Sequence, residues 1–195
     1  MALDLDDPSE VALAVAGALD RAGLVAALYG GLALAVYGEP RETKDADLAV
    51  ATVGVQAAHA ALQAAQIDGV IAFTDIRFGG LSIARISLVG GGKLNTVDLV
   101  TPRSARFAAV VLARAMRGTL DGQPLRVVSP EDFILLKVLS TRDHDLEDAR
   151  TVFAALGDRL DHGVLRTEHD LLAAEITDHD VRGRLASVLS LAAPW

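Results

Sequence analysis

Two aspartates separated by one residue, Asp45 and Asp47, occur in a segment with the pattern of a β-strand, 44–51. Side chains alternate along a strand, so both carboxylates are expected on the same face. Two neighbouring carboxylates repel each other unless a cation or a proton lies between them. A third carboxylate, Asp98, lies in another predicted strand, 94–101. If the two strands are neighbours, three carboxylates converge, and such hard oxygen ligands suit Mg²⁺ or Mn²⁺.

A glycine pair, Gly30 and Gly31, precedes the aspartates at the point where a short apolar strand passes into a predicted helix. Glycine lets the backbone approach a ligand closely, and the first amide groups of a helix can donate hydrogen bonds to phosphate. Two divalent ions on the carboxylates would bridge a triphosphate and activate an attacking hydroxyl for in-line displacement. Together the two features indicate a site for a nucleoside triphosphate (NTP) bound with Mg²⁺ or Mn²⁺.

The predicted elements that must position these residues change in character near residue 128. A first helix is expected after Asp7 as the N-cap, with Pro8 at its first position and Gly23 at its end. Up to residue 128 the remaining pattern predicts helices over 32–38, 53–66 and 102–118, and strands over 24–31, 44–51, 69–75, 81–89, 94–101 and 125–129. Beyond it the pattern predicts only helices, over 130–140, 143–157, 162–176 and 180–191.

The strands are clustered and joined by short glycine-containing turns, including a hairpin loop at 90–92. This arrangement favours a mixed or antiparallel α+β sheet over a doubly wound parallel one. We therefore predict an α/β core over residues 1–128 and a helical region over residues 129–195 that packs on the core.

Composition excludes several classes of function. The chain has 195 residues, of which 51% are hydrophobic, so disorder is not expected. Its formal charge of -8 argues against a general, sequence-blind grip on nucleic acid, although a local basic groove stays open. The absence of cysteine excludes disulfides, thiolate zinc sites and cysteine nucleophiles. The acidic N-terminus and the lack of a long apolar run predict a cytoplasmic protein without a membrane partner.

Several segments resemble one family of enzymes. The stretch "GGLALAVYGEPRETKDADL" at 30–48 is similar to the nucleotidyltransferase signature, in which a glycine-containing turn precedes an Asp-x-Asp strand. Within it, "YGEPRETKDADL" resembles the pattern of the AbiEii-type branch, which includes toxins of bacterial toxin–antitoxin and abortive-infection systems. The segment "SPEDFILLKVLSTRDHDLEDARTVF" at 129–153 resembles the helical motif of that family.

The resemblance implies a role for each matching position. It implies that the two glycines bind nucleotide phosphates, that the two aspartates of the Asp-x-Asp pair bind metal, and that the third aspartate acts on the incoming hydroxyl. The remaining matches are a lysine near the triphosphate, acidic positions one turn apart in the helical motif, and an arginine and a threonine that shape the site: Lys137, Asp145, Asp148, Arg41 and Thr43.

The expected reaction moves a nucleoside monophosphate (NMP) from NTP to an acceptor hydroxyl. The acceptor stays open among tRNA, a protein and a small molecule, and a cognate antitoxin or toxin is an expected partner. The alternative is a catalytically degenerate module that binds nucleotide or protein, such as an antitoxin or scaffold. Lys137 could instead reach solvent from the edge of an apolar helix, and Arg142 and Arg150 could simply pair with the neighbouring acids.

Overall fold

The sheet places the predicted carboxylates. The structure is a computed structural model that describes residues 3–51 and 53–190. These residues form seven strands: β1 (Ala26–Tyr29), β2 (Ala46–Val50), β3 (Gly69–Phe78), β4 (Leu81–Gly90), β5 (Lys93–Pro102), β6 (Met116–Leu120) and β7 (Gln123–Val127). Their order is β3-β4-β5-β2-β1-β7-β6. Strands β2 and β5 are parallel, as are β1 and β7, and the other neighbours are antiparallel. The predicted mixed α+β sheet is confirmed.

Helices flank the sheet and follow it. The described residues form α1 (Pro8–Arg21), α2 (Gly30–Tyr37), α3 (Val55–Ala64), α4 (Ala105–Arg114), α5 (Pro130–Leu139), α6 (Asp143–Leu156), α7 (His162–Glu175) and α8 (Val181–Leu189). The first helix begins as predicted, because the Asp7 side chain accepts hydrogen bonds from the backbone amides of Ser9 and Glu10. The last predicted helix extended to residue 191, which lies outside the described residues.

The helix predicted over 102–118 is too long. Helix α4 ends at Arg114, and β6 begins at Met116 and pairs with β7 through a tight turn at Asp121 and Gly122. Both turn residues have positive φ, 48° and 76°, which an Asp-Gly pair adopts readily in a two-residue hairpin. The Asp-Gly signal was present in the sequence, but the short strand before it has only two apolar residues and follows directly on the apolar helix α4. This hairpin carries the edge strand beyond β7.

Helix α5 forms the centre of the helical region. Every residue from Asp132 to Leu139 is buried, so the helix is enclosed on all sides. It packs against α6, α7 and α8, and its Phe133 ring lies 5.6 Å from the Tyr29 ring at the end of β1. Despite this apolar character, no helix within residues 3–51 and 53–190 is long and apolar enough to cross a membrane. The division predicted near residue 128 falls between β7 and α5 and stays a prediction.

A buried charged network holds α4 against the helical region. The Arg114 guanidinium on α4 binds the fully buried Asp132 of α5 and Glu168 of α7. Arg106, about two turns earlier on α4, binds Glu168 and Glu175. Buried carboxylates require such partners, because an unpaired charge in the interior is strongly unfavourable. The network therefore fixes how α4, α5 and α7 meet.

Candidate active site

Five side chains form one row across five neighbouring strands. Strand register aligns Tyr29 with Asp47, Asp47 with Asp98, Asp98 with Arg85, and Arg85 with Phe73. The parallel pairing of β2 with β5 is decisive, since it brings Asp47 directly opposite Asp98. The expectation that these strands are neighbours is therefore met, and two of the predicted carboxylates lie side by side.

Each of the outer carboxylates already has a hydrogen-bond partner from the sheet. The Thr96 hydroxyl donates to Asp45 Oδ1 at 2.6 Å. Arg85 binds both oxygens of Asp98, with Nε to Oδ1 at 2.7 Å and Nη2 to Oδ2 at 2.8 Å. Asp98 is only 3% exposed, so this bidentate pair neutralises a buried charge. The sequence analysis missed Arg85; its position as the single charged residue of a largely apolar strand was the signal that could have found it.

Asp47 differs, because its side chain has no hydrogen-bond partner among residues 3–51 and 53–190. Its pKa is raised to about 7, first by burial and then by the neighbouring charge of Asp98, while Lys137 and Arg142 act in the opposite direction. Near neutral pH the group therefore holds a proton for much of the time when no cation is bound. A divalent cation would replace that proton, which is the chemistry that the Asp-x-Asp pattern indicated.

The start of α2 packs directly on Asp47. Gly30 has φ +70°, and a Cβ atom added there would lie 2.0 Å from Asp47 Oδ2. A Cβ atom at Gly31 would lie 2.8 Å from Thr43 Cβ, so the second glycine packs on the predicted threonine. No side chain caps the first amide groups of α2. The structure thus brings both glycines, Thr43 and Asp47 together, with uncapped amide groups beside the carboxylate.

Replacing Gly30 with alanine is expected to lower the free energy of unfolding by at least about 3 kcal/mol, because the strained φ and the overlap with Asp47 add together. Gly23 provides the matched control, since it has φ +71° but nothing within 4 Å of an added Cβ. Gly23→Ala should therefore lose only about 1 kcal/mol. Urea unfolding of both variants measures the difference, and equal losses would contradict the close approach to Asp47.

Lys137 lies beneath this row and does not reach solvent. It is 3% exposed, and its Nζ lies 2.5 Å from Asp145 Oδ1 and 2.9 Å from Asp148 Oδ2. The same atom lies 5.1 Å from the centre of the Tyr29 ring. The Ser140 hydroxyl donates to Asp145 at 2.5 Å. The alternative of a lysine that snorkels to the surface is wrong, because the ammonium group is held between two carboxylates.

Arg41 joins the segment before β2 to α6. Its Nε and Nη2 atoms bind the two oxygens of Asp148 at 2.8 and 2.9 Å. Asp148 therefore accepts from both Arg41 and Lys137, and these pairs lower its pKa despite its burial. The predicted residues outside the sheet form one connected charged cluster, Arg41, Lys137, Asp145 and Asp148.

The oxygen donors suit a hard divalent cation, but they are not gathered as a ready-made cage. Within residues 3–51 and 53–190, no three Asp, Glu or His side chains are grouped as a metal site. Asp45 and Asp47 fit Mg²⁺ or Mn²⁺ by donor type, and the raised pKa of Asp47 means that a cation beside it would favour its ionised form. Both oxygens of Asp98 already accept from Arg85, so Asp98 could join them only with its remaining lone pairs or after one oxygen leaves Arg85.

The arrangement of strands, glycines and carboxylates agrees with a family comparison. A profile of the family described as "Nucleotidyl transferase of unknown function (DUF2204)" matches residues 9–183. The chain belongs to this family. The DUF2204 assignment confirms the nucleotidyltransferase part of the resemblance seen in the sequence. A comparison with curated protein sequences found no match.

Solved structures show that the DUF2204 chain shares its fold with nucleotidyltransferases. The solution structure of the antibiotic-resistance factor ANT(2'')-Ia is 16% identical, with a TM-score of 0.53 over 88% of this chain and 97% of that chain. An antigenic nucleotidyltransferase-like protein from Paracoccidioides brasiliensis is 22% identical, with a TM-score of 0.53 over 95% of this chain and 93% of that chain. At these identities the similarity concerns the fold alone.

Proposed function

We propose that this protein transfers an NMP from NTP to an acceptor hydroxyl and releases pyrophosphate. The observation that carries the proposal is the pair Asp47 and Asp98, which lie opposite each other beside the glycine-started helix α2. Membership of a nucleotidyl transferase family supports the reaction type. The dependence on NTP and on Mg²⁺ or Mn²⁺ is part of the proposal and rests on the chemistry of the carboxylates.

The residues divide the reaction between them. Asp45 and Asp47 would hold Mg²⁺ or Mn²⁺, which would neutralise phosphate oxygens and favour loss of the hydroxyl proton. The amide groups of Gly30 and Gly31 would donate to phosphate. Asp98 would accept the proton of the acceptor hydroxyl. The oxygen of that hydroxyl would attack the α-phosphorus, and the bond between the α-phosphorus and the oxygen that bridges it to the β-phosphorus would break. Pyrophosphate would leave with that bridging oxygen.

The charged cluster of Arg41, Lys137, Asp145 and Asp148 would act on the site without contacting the triphosphate. Lys137 is enclosed by Asp145 and Asp148, so it would supply positive charge through the protein rather than by contact with the triphosphate. Arg41 and Thr43 would keep the segment before β2 in place, since one binds Asp148 and the other packs on Gly31. These positions would orient the reacting groups, and most of the catalysis of phosphoryl transfer comes from such positioning.

Within this reaction class, we retain the AbiEii-type branch as the proposed relationship. The "YGEPRETKDADL" pattern supports it, because its Arg41 and Thr43 have defined structural partners. This proposal includes cytoplasmic action, a toxin role with a cognate antitoxin, and an acceptor that is tRNA, a protein or a small molecule. A solved neighbour is an antibiotic-resistance factor, which keeps the small-molecule acceptor among the three.

One observation favours a second candidate function. Arg85 binds both oxygens of Asp98, so the charge of the third carboxylate is already neutralised by a residue of the protein. In a catalytically degenerate module that binds nucleotide or a protein partner, Asp98 has no proton to accept, so the Arg85–Asp98 pair could persist at all times. The two candidates differ in whether Arg85 releases Asp98 when NTP and metal bind.

A labelling assay separates the two candidates. The protein is incubated with each α-labelled NTP, Mg²⁺ and a bacterial extract, alongside the Asp47→Ala variant. Label that enters RNA, protein or a small molecule, and is lost in the variant, supports transfer and identifies the acceptor class. If no label is transferred, although NTP raises the melting temperature only with Mg²⁺, the binding module is the better description.

A further inference from the structure

A cavity of about 310 Å³ opens between α7 and α8. Each helix contributes residues at relative positions i, i+3, i+4 and i+7, which lie on one face of a helix. The buried side chains of Leu165 and Leu185 line it, and the half-buried Leu189 extends this apolar lining. None of the lining residues belongs to the carboxylate row or to the charged cluster. The volume and the apolar lining suit a small molecule.

The ionisable groups of this cavity are all of the basic type. Among the described residues that line it they are two arginines and two histidines: Arg166 and Arg182, His162 and His169. No carboxylate is among these lining residues, although the whole chain has a formal charge of -8. A concave site with charges of one sign attracts ligands of the opposite sign. The cavity therefore favours an anion over a cation.

The two arginines differ in whether their charge is already neutralised. Arg182 Nη1 lies 3.1 Å from Asp170 Oδ1. Arg166 forms no ion pair within residues 3–51 and 53–190. Its side chain is exposed although it lines the cavity, so it lies at the mouth. A guanidinium can donate two parallel hydrogen bonds to a carboxylate or a phosphate, and that of Arg166 is available for such a contact.

His169 supplies a second polar contact. Its Nε2 atom is buried and has no hydrogen-bond partner in the described part of the chain. Burial lowers the pKa of this histidine, so its ring is mostly neutral near pH 7 and can donate or accept through Nε2, depending on the tautomer. A buried polar atom without a partner is unfavourable, and a polar atom of a ligand would satisfy it.

We propose that this cavity binds an amphipathic anion, a small molecule with a carboxylate or phosphate group on an aliphatic body. The guanidinium of Arg166 binds the anionic group at the mouth, and the aliphatic body lies against Leu165 and Leu185. Arg182 adds positive charge, and His169 Nε2 forms one hydrogen bond with the ligand. The inference goes beyond nucleotidyl transfer and does not rest on it, because no residue of the carboxylate row takes part.

The test is a nuclear magnetic resonance titration of the full isotope-labelled chain, which reports both affinity and location. Octanoate and octyl phosphate carry the anionic group and the aliphatic body, whereas octanol lacks the charge and acetate lacks the body. Arg166→Gln removes the charge at the mouth. Ala186→Trp fills the cavity from an exposed lining position, so it should fold normally. Arg117→Gln is the matched control, because Arg117 is exposed on β6 and has no ion pair among the described residues.

We expect octanoate or octyl phosphate to shift the amide signals of α7 and α8 and to bind at least about tenfold more tightly than octanol or acetate. The tighter of the two anions identifies the head group. Arg166→Gln should remove the advantage over octanol and leave octanol affinity unchanged. Ala186→Trp should abolish the binding of all four probes, and Arg117→Gln should bind like the wild type.

Three results overturn the inference. The first is equal affinity for octanol and both anions, or no shift in α7 and α8 with any probe. The second is binding that appears only after residues 191–195 are removed, which makes these residues the occupant. The third is a dimer in sedimentation that Ala186→Trp converts to a monomer, which makes a second copy the occupant. None of these results bears on nucleotidyl transfer, which the labelling assay tests separately.

Discussion

Replacing Asp47 with asparagine is expected to reduce nucleotidyl transfer by about a thousandfold or more and, at the same time, to stabilise the metal-free protein. Activity falls because the central oxygen donor beside Asp98 and Gly30 becomes a weaker, neutral ligand. Stability rises because the wild-type carboxylate is buried next to another carboxylate, which makes its charged form unfavourable. A gain in stability together with a loss of activity is typical of a functional site rather than a structural one.

The stability gain must depend on pH in a defined direction. The pKa of Asp47 rises from 3.8 to about 7 on folding, so its unfavourable contribution is absent below pH 4, grows between pH 4 and 7, and is complete above pH 7. A shift of this size corresponds to about 4 kcal/mol. Urea unfolding in EDTA should show Asp47→Asn and wild type nearly equal at pH 4 and widely separated at pH 8.

A control for the pH effect lies in the β6–β7 turn. Asp121 is exposed, and asparagine adopts its positive φ of 48° without difficulty, so Asp121→Asn should follow the wild type at every pH. A constant difference between Asp47→Asn and wild type from pH 4 to 8 would show that the carboxylate is not protonated on folding. Retained transfer in Asp47→Asn would remove Asp47 from the reaction.

The second large effect concerns Lys137. Replacing it with methionine keeps most of the volume but leaves Asp145 and Asp148 buried without their shared cation, although Arg41 still binds Asp148. Breaking a buried pair on one side typically costs about 3–5 kcal/mol, so we expect a loss of that size in the free energy of unfolding. Circular dichroism during urea unfolding measures it.

A double variant identifies the cause of the loss. Adding Asp145→Asn to Lys137→Met removes the carboxylate that was left unpaired, so part of the stability should return. Lys93→Met is the exposed control, because Lys93 binds Asp4 and Asp6 at the surface, and it should unfold like the wild type. If the double variant is less stable than Lys137→Met alone, packing of the lysine stem rather than charge explains the effect.

Local patterns were sufficient to predict most of the elements. The Asp7 cap, the strand around Asp47 and the glycine turn at 90–92 depend on neighbours in the sequence, and each appears in the structure. The β6 strand was missed because it has only two apolar residues, Met116 and Leu120, and follows directly on the apolar helix α4. Such ambiguity between the end of a helix and a short strand is resolved by strand pairing, here with the adjacent β7, which itself pairs with the distant β1.

The candidate site was predictable in its residues but not in its contacts. Asp47 and Asp98 could be proposed from a strand pattern, yet their exact opposition depends on the parallel register of β2 and β5. The contacts of Arg85 with Asp98 and of Arg142 with Phe78 join residues that are separated in the sequence, so no local pattern contains them. A single sequence therefore predicts which groups are available, whereas sheet order decides which of them meet.

The parallel pairing of β2 with β5 also determines when the site can exist during folding. Asp45 and Thr96 form a hydrogen bond although they are 51 positions apart in the chain. The β3–β4–β5 meander can form through nearby hairpins, but β2 joins it only after a much longer loop has closed, and such pairings are slow. We therefore expect the carboxylates to be assembled by a late, non-local step. Local opening between β2 and β5 would dismantle the whole acidic row at once, while both hairpins stay intact.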